Sequence, residues 1–464
     1  MTSDIQSRSY WLSLDPYTPG AALREDLRAD VALVGAGFTS LWTAYLLLKR
    51  NPGLKVAILE ANAVGYGASG RNGGFAMTLV HRTLTHLARY VGDEEARKIY
   101  YAAEQSVQHI NEVVEQESIE CDLQPNGVIT LSNTPPQDHV IHQEFETAQR
   151  LGIKEIQFLT REEAQDRIHS ERIRCAIHED ACSLVNPARL ARGLKGVVER
   201  LGAKVYENTP VGEWEEGTDA VVLQVPGGIV RADRALFAPN AYATAWKAIR
   251  EYVLPFYTYI CLTEPLSDAQ WASVGWVGRE GAEDRRALLH YFRPTIDGRI
   301  LWGGRDATFH PNGPKARYDR DDYVFGRMRE SFEWFFPQLR EVRFEDQWGG
   351  PIGVTGNFMP AVGWFDPAKR RAAYALGYNG HGVAISHLAA HAIVDTFEGR
   401  GSEWTDLAFV DRKPLDLGPH FVRDPLVRMM VKAQLRADDT ERELRNPWIL
   451  RLLNRFTGAD LEIN

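Results

Sequence analysis

Three glycine-rich stretches hold the residues whose types and spacing could do chemistry. The longest is Val64-Gly65-Tyr66-Gly67-Ala68-Ser69-Gly70-Arg71-Asn72-Gly73-Gly74, with five glycines in eleven residues. Glycine suits places where a backbone turns sharply or lies against a ligand. The Ser, Arg and Asn set among these glycines add a hydroxyl, a cation and an amide. The other two stretches are Gly35-Ala36-Gly37-Phe38-Thr39-Ser40 and Gly377-Tyr378-Asn379-Gly380-His381-Gly382-Val383. Each opens a run with helical spacing of apolar residues. A glycine turn that opens a helix presents unpaired N–H groups, and these attract anions.

The surrounding pattern shows which elements must position them. Residues 29–34 form a short apolar run that ends at Gly35, and residues 55–60 form a second one that ends at Glu60. Both read as buried parallel strands. Between them, residues 41–50 are spaced for a helix with one buried face, and Asn51-Pro52-Gly53 stops it. This is the context of a dinucleotide-binding fingerprint: Gly35 for the tight turn, Gly37 for close approach to a pyrophosphate, and a small third residue, here Ser40. The phosphates would sit at the helix start near Phe38 and Thr39. Glu60, 25 residues after Gly35, stands where a carboxylate takes ribose hydroxyls, with Ala61 beside it.

Composition narrows the function classes. The chain has 464 residues and a net charge of -9 without a long basic run, which argues against a nucleic-acid binder. Four cysteines without a CxxC pair read as thiols in a reducing compartment. His387 and His391 stand at i, i+4 and read as a helix face, so no metal is expected. No run of about 18 apolar residues occurs, and the first twenty residues lack a signal-peptide pattern, so a cytoplasmic protein without a membrane span is expected.

The fingerprint, Glu60 and the string from Tyr66 to Gly74 together resemble the FAD-dependent D-amino-acid oxidase/glycine oxidase superfamily, and within it the gamma-glutamylputrescine oxidase-like branch. The Ser9-Tyr10-Trp11 preamble is similar too. The resemblance implies an α/β fold: a Rossmann-like, glutathione-reductase-type FAD-binding domain plus an α+β substrate domain with a mainly antiparallel sheet. It implies residues 28–82, 172–245 and 350–402 for the first, 83–171 and 246–349 for the second, and a C-terminal helical extension over 403–464. The loop 64–74 would run beside the flavin. Gly67, Ala68, Ser69, Gly70, Gly73 and Gly74 would admit it, and Arg71 and Asn72 would reach its polar edge or the substrate. A structural salt bridge is the other reading of Arg71.

The rest of the chain is read with the same eye. Residues 84–117 read as long helix, 123–131 as a hairpin turning at Asn126-Gly127, and Pro135-Pro136 as a break. Asn186 and Pro187 open a helix. Residues 221–230 read as a hairpin, and 254–302 as antiparallel strands with an Asp297-Gly298 turn. Residues 348–353 read as a further glycine-rich turn. In the resembling family Val211 would lie against adenine, Asn240 would close the nucleotide site, and Gly350 would precede the return to the flavin. The turn from Gly380 through His381, Gly382 and Val383 would present N–H groups to the flavin's N1–C2 edge. Tyr259, His290, Tyr291 and Arg305 could face the pocket with Trp348 and Asn379, although alternation alone does not say which side faces in. No Cys lies between Trp348 and His391, so FAD is expected to be non-covalent.

The implied reaction is oxidation of an amine or amino acid by hydride transfer to flavin N5, imine hydrolysis, and reoxidation by O2 to H2O2. Some relatives use a Lys to activate oxygen; residues 287–292 contain none, and His290 is the stand-in. A dehydrogenase using another electron acceptor and a non-catalytic flavin-binding protein remain alternatives. The apolar residues at 448–456 read as packing on this chain or on a second subunit, which leaves a homodimer open.

Overall fold

The computed structural model describes residues 5–416 and 418–440. Its first sheet is built on five parallel strands in the order Ala372–Leu376, Gly228–Phe237, Leu27–Val34, Val56–Leu59 and Lys204–Tyr206. Val31 to Val34 and Val56 to Leu59 are all buried, because both faces of the sheet are covered. That is why the sequence shows unbroken apolar runs rather than alternation. On one face, Leu33 and Ile58 pack against the helices Phe38–Arg50, Pro187–Arg200 and Gly382–Glu398. On the other, Ala32, Val34 and Phe237 pack against the antiparallel pair Trp214–Glu216 and Val221–Val225, which extends from Gly228–Phe237. The Trp214 ring closes that face, 4.5 Å from Phe237 and 4.7 Å from Phe365.

The second sheet has nine strands, mainly antiparallel. Its core is Leu254–Thr263, Ile300–Gly304 and His290–Pro294, continued by Gly281–Asp284, Val128–Ser132, Cys175–Glu179 and Ile156–Leu159. Gly281–Asp284 pairs in parallel with Val128–Ser132. Behind the core strands, Phe292 and Trp302 interlock with Phe332, Phe335 and Phe336 at the end of the helix Asp322–Phe335. The two architectures agree with the expected α/β fold with a Rossmann-like domain and a mainly antiparallel second unit.

Several local expectations are corrected. Residues 348–353 are no turn but the middle of an eleven-residue strand, Phe344–Val354, paired along Leu254–Thr263. Gly349 lies opposite Tyr259, and a Cβ there would meet the Tyr259 ring at 2.8 Å. The glycine serves close approach within a sheet, which composition alone cannot tell from a turn. Residues 123–131 form no hairpin: Gln124 bridges to Leu184, and Val128–Ser132 pairs with distant strands. The helix over 84–117 breaks at Gly92, φ +87°, into Leu84–Val91 and Asp93–Gln116. Pro135 and Pro136 do not break the chain. They start the helix Pro135–Leu151, where a missing N–H costs nothing.

Strand membership also bears on the domain bounds. Cys175–Glu179 lies in the second sheet although residue 172 was taken as the return to the first, and Gly350 to Val354 lie there too. Beyond residue 403 a helix, His420–Thr440, crosses the mouth of the second sheet and contacts Thr308–Phe309. The apolar face at 448–456 lies outside the described residues. No helix among the described residues is long and apolar enough to cross a membrane.

Candidate active site

Two of the glycine-rich stretches, 64–74 and 377–383, meet at one cavity of about 630 Å³. Its floor includes Ala68, Arg71, Asn72 and Gly73 from the first loop and Asn379 to His381 from the third. The second sheet supplies Tyr291, Arg305 and Gly350, and the C-terminal helix adds Val427, Met430 and Asp438.

The nucleotide end is shaped by backbone. Gly35 takes φ +94°, a conformation other residues resist. Gly37 is the N-cap of the helix Phe38–Arg50 and has no side chain to satisfy the first N–H groups. Instead Phe38 N–H donates to Ser69 Oγ at 3.0 Å, so the 64–74 loop already lies at the positive end of this helix. A Cβ on Gly37 would sit 3.0 Å from that hydroxyl. Ser40 Oγ is buried without a partner, while the Thr39 hydroxyl bonds Tyr378 at 2.8 Å and ties the first helix to the third turn.

Glu60 accepts N–H bonds from Ala36 at 2.7 Å and Asn62 at 2.8 Å. Burial raises its carboxyl to about 7, against the opposing pull of these donors. Ala61 is exposed beside it. Val211 is half-buried against the sheet face and Asn240, φ +46°, accepts from Gly377 N–H at 3.2 Å. Neither lines the large cavity, and the contact of Asn240 is to the backbone of the third turn.

The 64–74 loop is held from three sides. Ser9 donates to Gly70 O at 2.7 Å, Trp11 to Asn72 O at 2.9 Å, and Trp348 to Arg71 O at 2.8 Å. These bonds explain the Ser9-Tyr10-Trp11 preamble and assign Trp348 to the back of the loop, outside the cavity lining. Within the loop Asn72 donates to Ala68 O and accepts from Gly74 N–H. The Arg71 guanidinium lies 2.9 Å from Asp319 and donates to Tyr66 O, so the salt-bridge reading is the one its contacts fit. Breaking so buried a pair costs about 3–5 kcal/mol. Gly74, φ +80°, leaves no room for a Cβ beside Val185 O and the Arg293 guanidinium. Burial pulls Arg293 down to about 10, and it donates to Val185 O at 2.9 Å.

The second sheet separates its candidates by alternation. Tyr291 lines the cavity above Gly73. His290, its neighbour, points the other way: Nδ1 lies 2.8 Å from Asp284 and Nε2 3.0 Å from Ser331 Oγ. Its imidazole is therefore part of the core and does not face the pocket. Burial lowers the His290 pKa, and Asp284 opposes this only in part. Tyr259 is also buried, bonded to Thr308 Oγ at 3.0 Å and to Tyr318 O, with burial pushing its hydroxyl up to about 12. Arg305 does line the cavity, paired to Asp439 at 2.9 Å. Asn379, φ +53°, accepts from Thr355 N–H at 3.0 Å, and its Nδ2 is buried without a partner.

Sequence reasoning expected a helical extension after residue 403 but missed that its helix His420–Thr440 lines the cavity. Asp438 accepts from Ala287 N–H and Leu288 N–H, each at 3.0 Å, and latches that helix over the cavity. The signal was present as helical spacing of Val427, Met430, Val431 and Gln434, but nothing local tied it to residues 287–288.

The third turn completes the site. His381 is the N-cap of Gly382–Glu398 yet makes no side-chain cap bond, so the first N–H groups of that helix are open. His381 Nδ1 is buried without a partner and burial lowers its pKa. The profile of the family described as FAD dependent oxidoreductase (DAO) matches residues 30–396. The chain belongs to this family. It is 29% identical over 425 residues to gamma-glutamylputrescine oxidoreductase of Escherichia coli (strain K12), covering 91% of this chain and 96% of that one. Among solved structures, glycine oxidase from Geobacillus kaustophilus superposes with TM-score 0.69 at 22% identity, covering 84% of this chain and 100% of that one. L-proline dehydrogenase from P. horikoshii gives TM-score 0.67 at 18% identity, covering 83% and 96%. These structures share the fold.

FAD is the family's cofactor, and the residues present suit it. Neither Gly37 nor His381 caps its helix with a side chain; the start at Phe38, beside Ser69, suits a pyrophosphate, and the start at Gly382 opens on the cavity, which suits a reduced flavin's negative edge. The unpartnered Asn379 Nδ2 and His381 Nδ1 stand beside the second of them. The chain is an FAD-dependent amine or amino-acid oxidoreductase by family.

Proposed function

We propose that the protein oxidises a primary or secondary amine or amino acid with non-covalent FAD and dioxygen. The observation that carries this reading is the meeting of the 64–74 loop and the start of Gly382–Glu398, which has no side-chain cap, at one cavity with several aromatic residues in its lining. The chemistry FAD supplies when bound is acceptance of a hydride from the amine's α-carbon and passage of the electron pair to dioxygen as hydrogen peroxide, with water hydrolysing the imine.

The protein's own part is binding, orientation and electrostatics. Backbone N–H groups of Gly382 and Val383 and the helix dipole favour negative charge at the polar edge of the ring. Phe75, Phe256, Tyr291 and Phe358 line the cavity and exclude water, which disfavours the ammonium form of the substrate and leaves the neutral amine that gives up hydride. Arg305 and Asn379 are the polar groups we assign to orienting the substrate. All four cysteines are buried and none lines the cavity, in keeping with non-covalent attachment.

The test is anaerobic flavin bleaching across a panel of amines that includes gamma-glutamylputrescine, polyamines, N-methyl amino acids and glycine. Bleaching by one class supports the reading, and a flavin that stays oxidised with all of them overturns it. One observation favours a second reading, transfer to an acceptor other than dioxygen. No lysine lines the cavity among the described residues, and His290 is turned into the core. Dye reduction without peroxide in air would decide for the dehydrogenase.

A further inference from the structure

His387 and His391 lie one turn apart on the same face of Gly382–Glu398. The tertiary structure brings His109, from the middle of Asp93–Gln116, against them. Their facing ring nitrogens, one from each residue, all lie within 4.8 Å of one another. His109 Nδ1 is 2.9 Å from His387 Nε2 and 3.4 Å from His391 Nε2. None of the three lines the large cavity, so the cluster is separate from the site described above.

Three imidazoles converging in this way are poorly satisfied by one another. A proton between His109 and His387 leaves the His391 nitrogen competing for the same ring atom. On the outer side of the rings, His387 Nδ1 and His391 Nδ1 are buried without a partner, so the protein does not set their tautomers from there. A cation at the convergence point would engage all three lone pairs at once and fix Nδ1 as the protonated atom of both rings on the helix. Tetrahedral zinc with bonds of about 2.0–2.1 Å places its ligands about 3.4 Å apart, which compares with 2.9 and 3.4 Å from His109 Nδ1 to its two neighbours. The i, i+4 pair that uses Nε2 is the arrangement helices offer for zinc. The rings are walled by Trp42, 4.9 Å from His387, and Trp404, stacked 4.6 Å from His391. His109 and His391 are partly exposed, which leaves a path for a cation and for a water as fourth ligand.

We propose that His109, His387 and His391 form a zinc-class divalent metal site. Its role is a clamp: it joins the long helix Asp93–Gln116 to the helix whose first turn faces the flavin position. Only the spacing of His387 and His391 is visible locally, because His109 stands 278 residues before His387.

The experiment uses the full-length, FAD-loaded enzyme without an affinity tag, stripped by chelator and titrated with Zn²⁺ alone. Metal content after dialysis, calorimetric affinity and the zinc K-edge spectrum are read together. The expected result is one zinc per chain, a first shell containing three imidazole nitrogens at about 2.0 Å, and a melting temperature raised by zinc. His109→Gln and His391→Gln should each weaken zinc by more than about tenfold while retaining flavin. These two partly exposed positions are chosen because His387→Gln would disturb a buried ring. Failure of the wild type to retain zinc would overturn the proposal. So would equal zinc uptake by the His109→Gln/His391→Gln double variant, which would locate binding elsewhere on the surface.

Discussion

The two sides of the cavity are built on different principles. On the parallel-sheet side, the chain presents backbone N–H groups at helix starts, and glycines hold it in place. On the antiparallel side, the groups are side chains projected from strands, and a helix from beyond the family match closes over them. Backbone sites are tolerant of side-chain chemistry but intolerant of side-chain volume. Side-chain sites are the reverse, and adjacent residues such as His290 and Tyr291 have unrelated jobs.

The largest expected effect breaks the backbone side. Gly74→Val must place a Cβ against Val185 O at φ +80°. We expect loss of bound flavin by more than about 100-fold, or loss of soluble protein, with destabilisation above about 4 kcal/mol. The flavin-to-protein absorbance ratio measures it. Wild-type flavin content in this variant would mean that the loop is looser than drawn.

The next test splits the two neighbours on one strand. His290→Asn should cost about 1–3 kcal/mol of stability, since the buried Asp284 would lose the imidazole bond. Its kcat in the folded enzyme should hardly change. Tyr291→Ala should do the opposite, lowering kcat/KM by about 10–100-fold, or about 1.4–2.7 kcal/mol, with a smaller change in melting temperature. Denaturant curves and steady-state kinetics on both variants would expose any exchange of roles.

A pH experiment sharpens the role of Glu60. Its carboxyl is raised to about 7, so in the apoprotein it is protonated below that value and ionised above it. The ionised form is the better acceptor for ribose hydroxyls. FAD affinity should therefore fall as pH drops through about 7, by up to tenfold per unit. Glu60→Gln should bind about tenfold more weakly at pH 8 and show a flatter profile from pH 6 to 8. Fluorescence titration of the apoprotein gives both quantities.

The smallest effect is expected at the latch. Asp438→Asn weakens two backbone bonds at the edge of the cavity, and burial already holds this carboxyl up at about 6. We expect KM to rise about two- to fivefold, about 0.4–1 kcal/mol, with kcat little changed. A fall in kcat of the same size would instead implicate the helix in the chemical step.

The nucleotide half was legible because its signals are local. Gly35, Gly37, Glu60 and the apolar runs beside them lie within about thirty residues, and each follows from backbone geometry or from burial of both sheet faces. The third turn could be read for the same reason. Legibility failed where a glycine had more than one physical use: Gly349 and Gly350 allow close strand packing, and their composition resembles a turn.

What the sequence determined by itself was the binding class: two glycine turns that open helices, an acid closing the second strand, and a glycine-rich loop between strand and helix that resembles the family's flavin loop. Short-range sterics and hydrogen-bonding capacity suffice for that. Tertiary structure alone decided which face of Leu254–Thr263 and His290–Pro294 meets the cavity, since alternation has two solutions until the opposite sheet face is covered. It also decided that Arg71 pairs with Asp319, that Asp438 reaches residues 287 and 288, and that His109 meets His387 and His391. Each of these contacts joins segments 150 or more residues apart. They depend on how packed helices and sheets bring distant segments together, which no local pattern encodes.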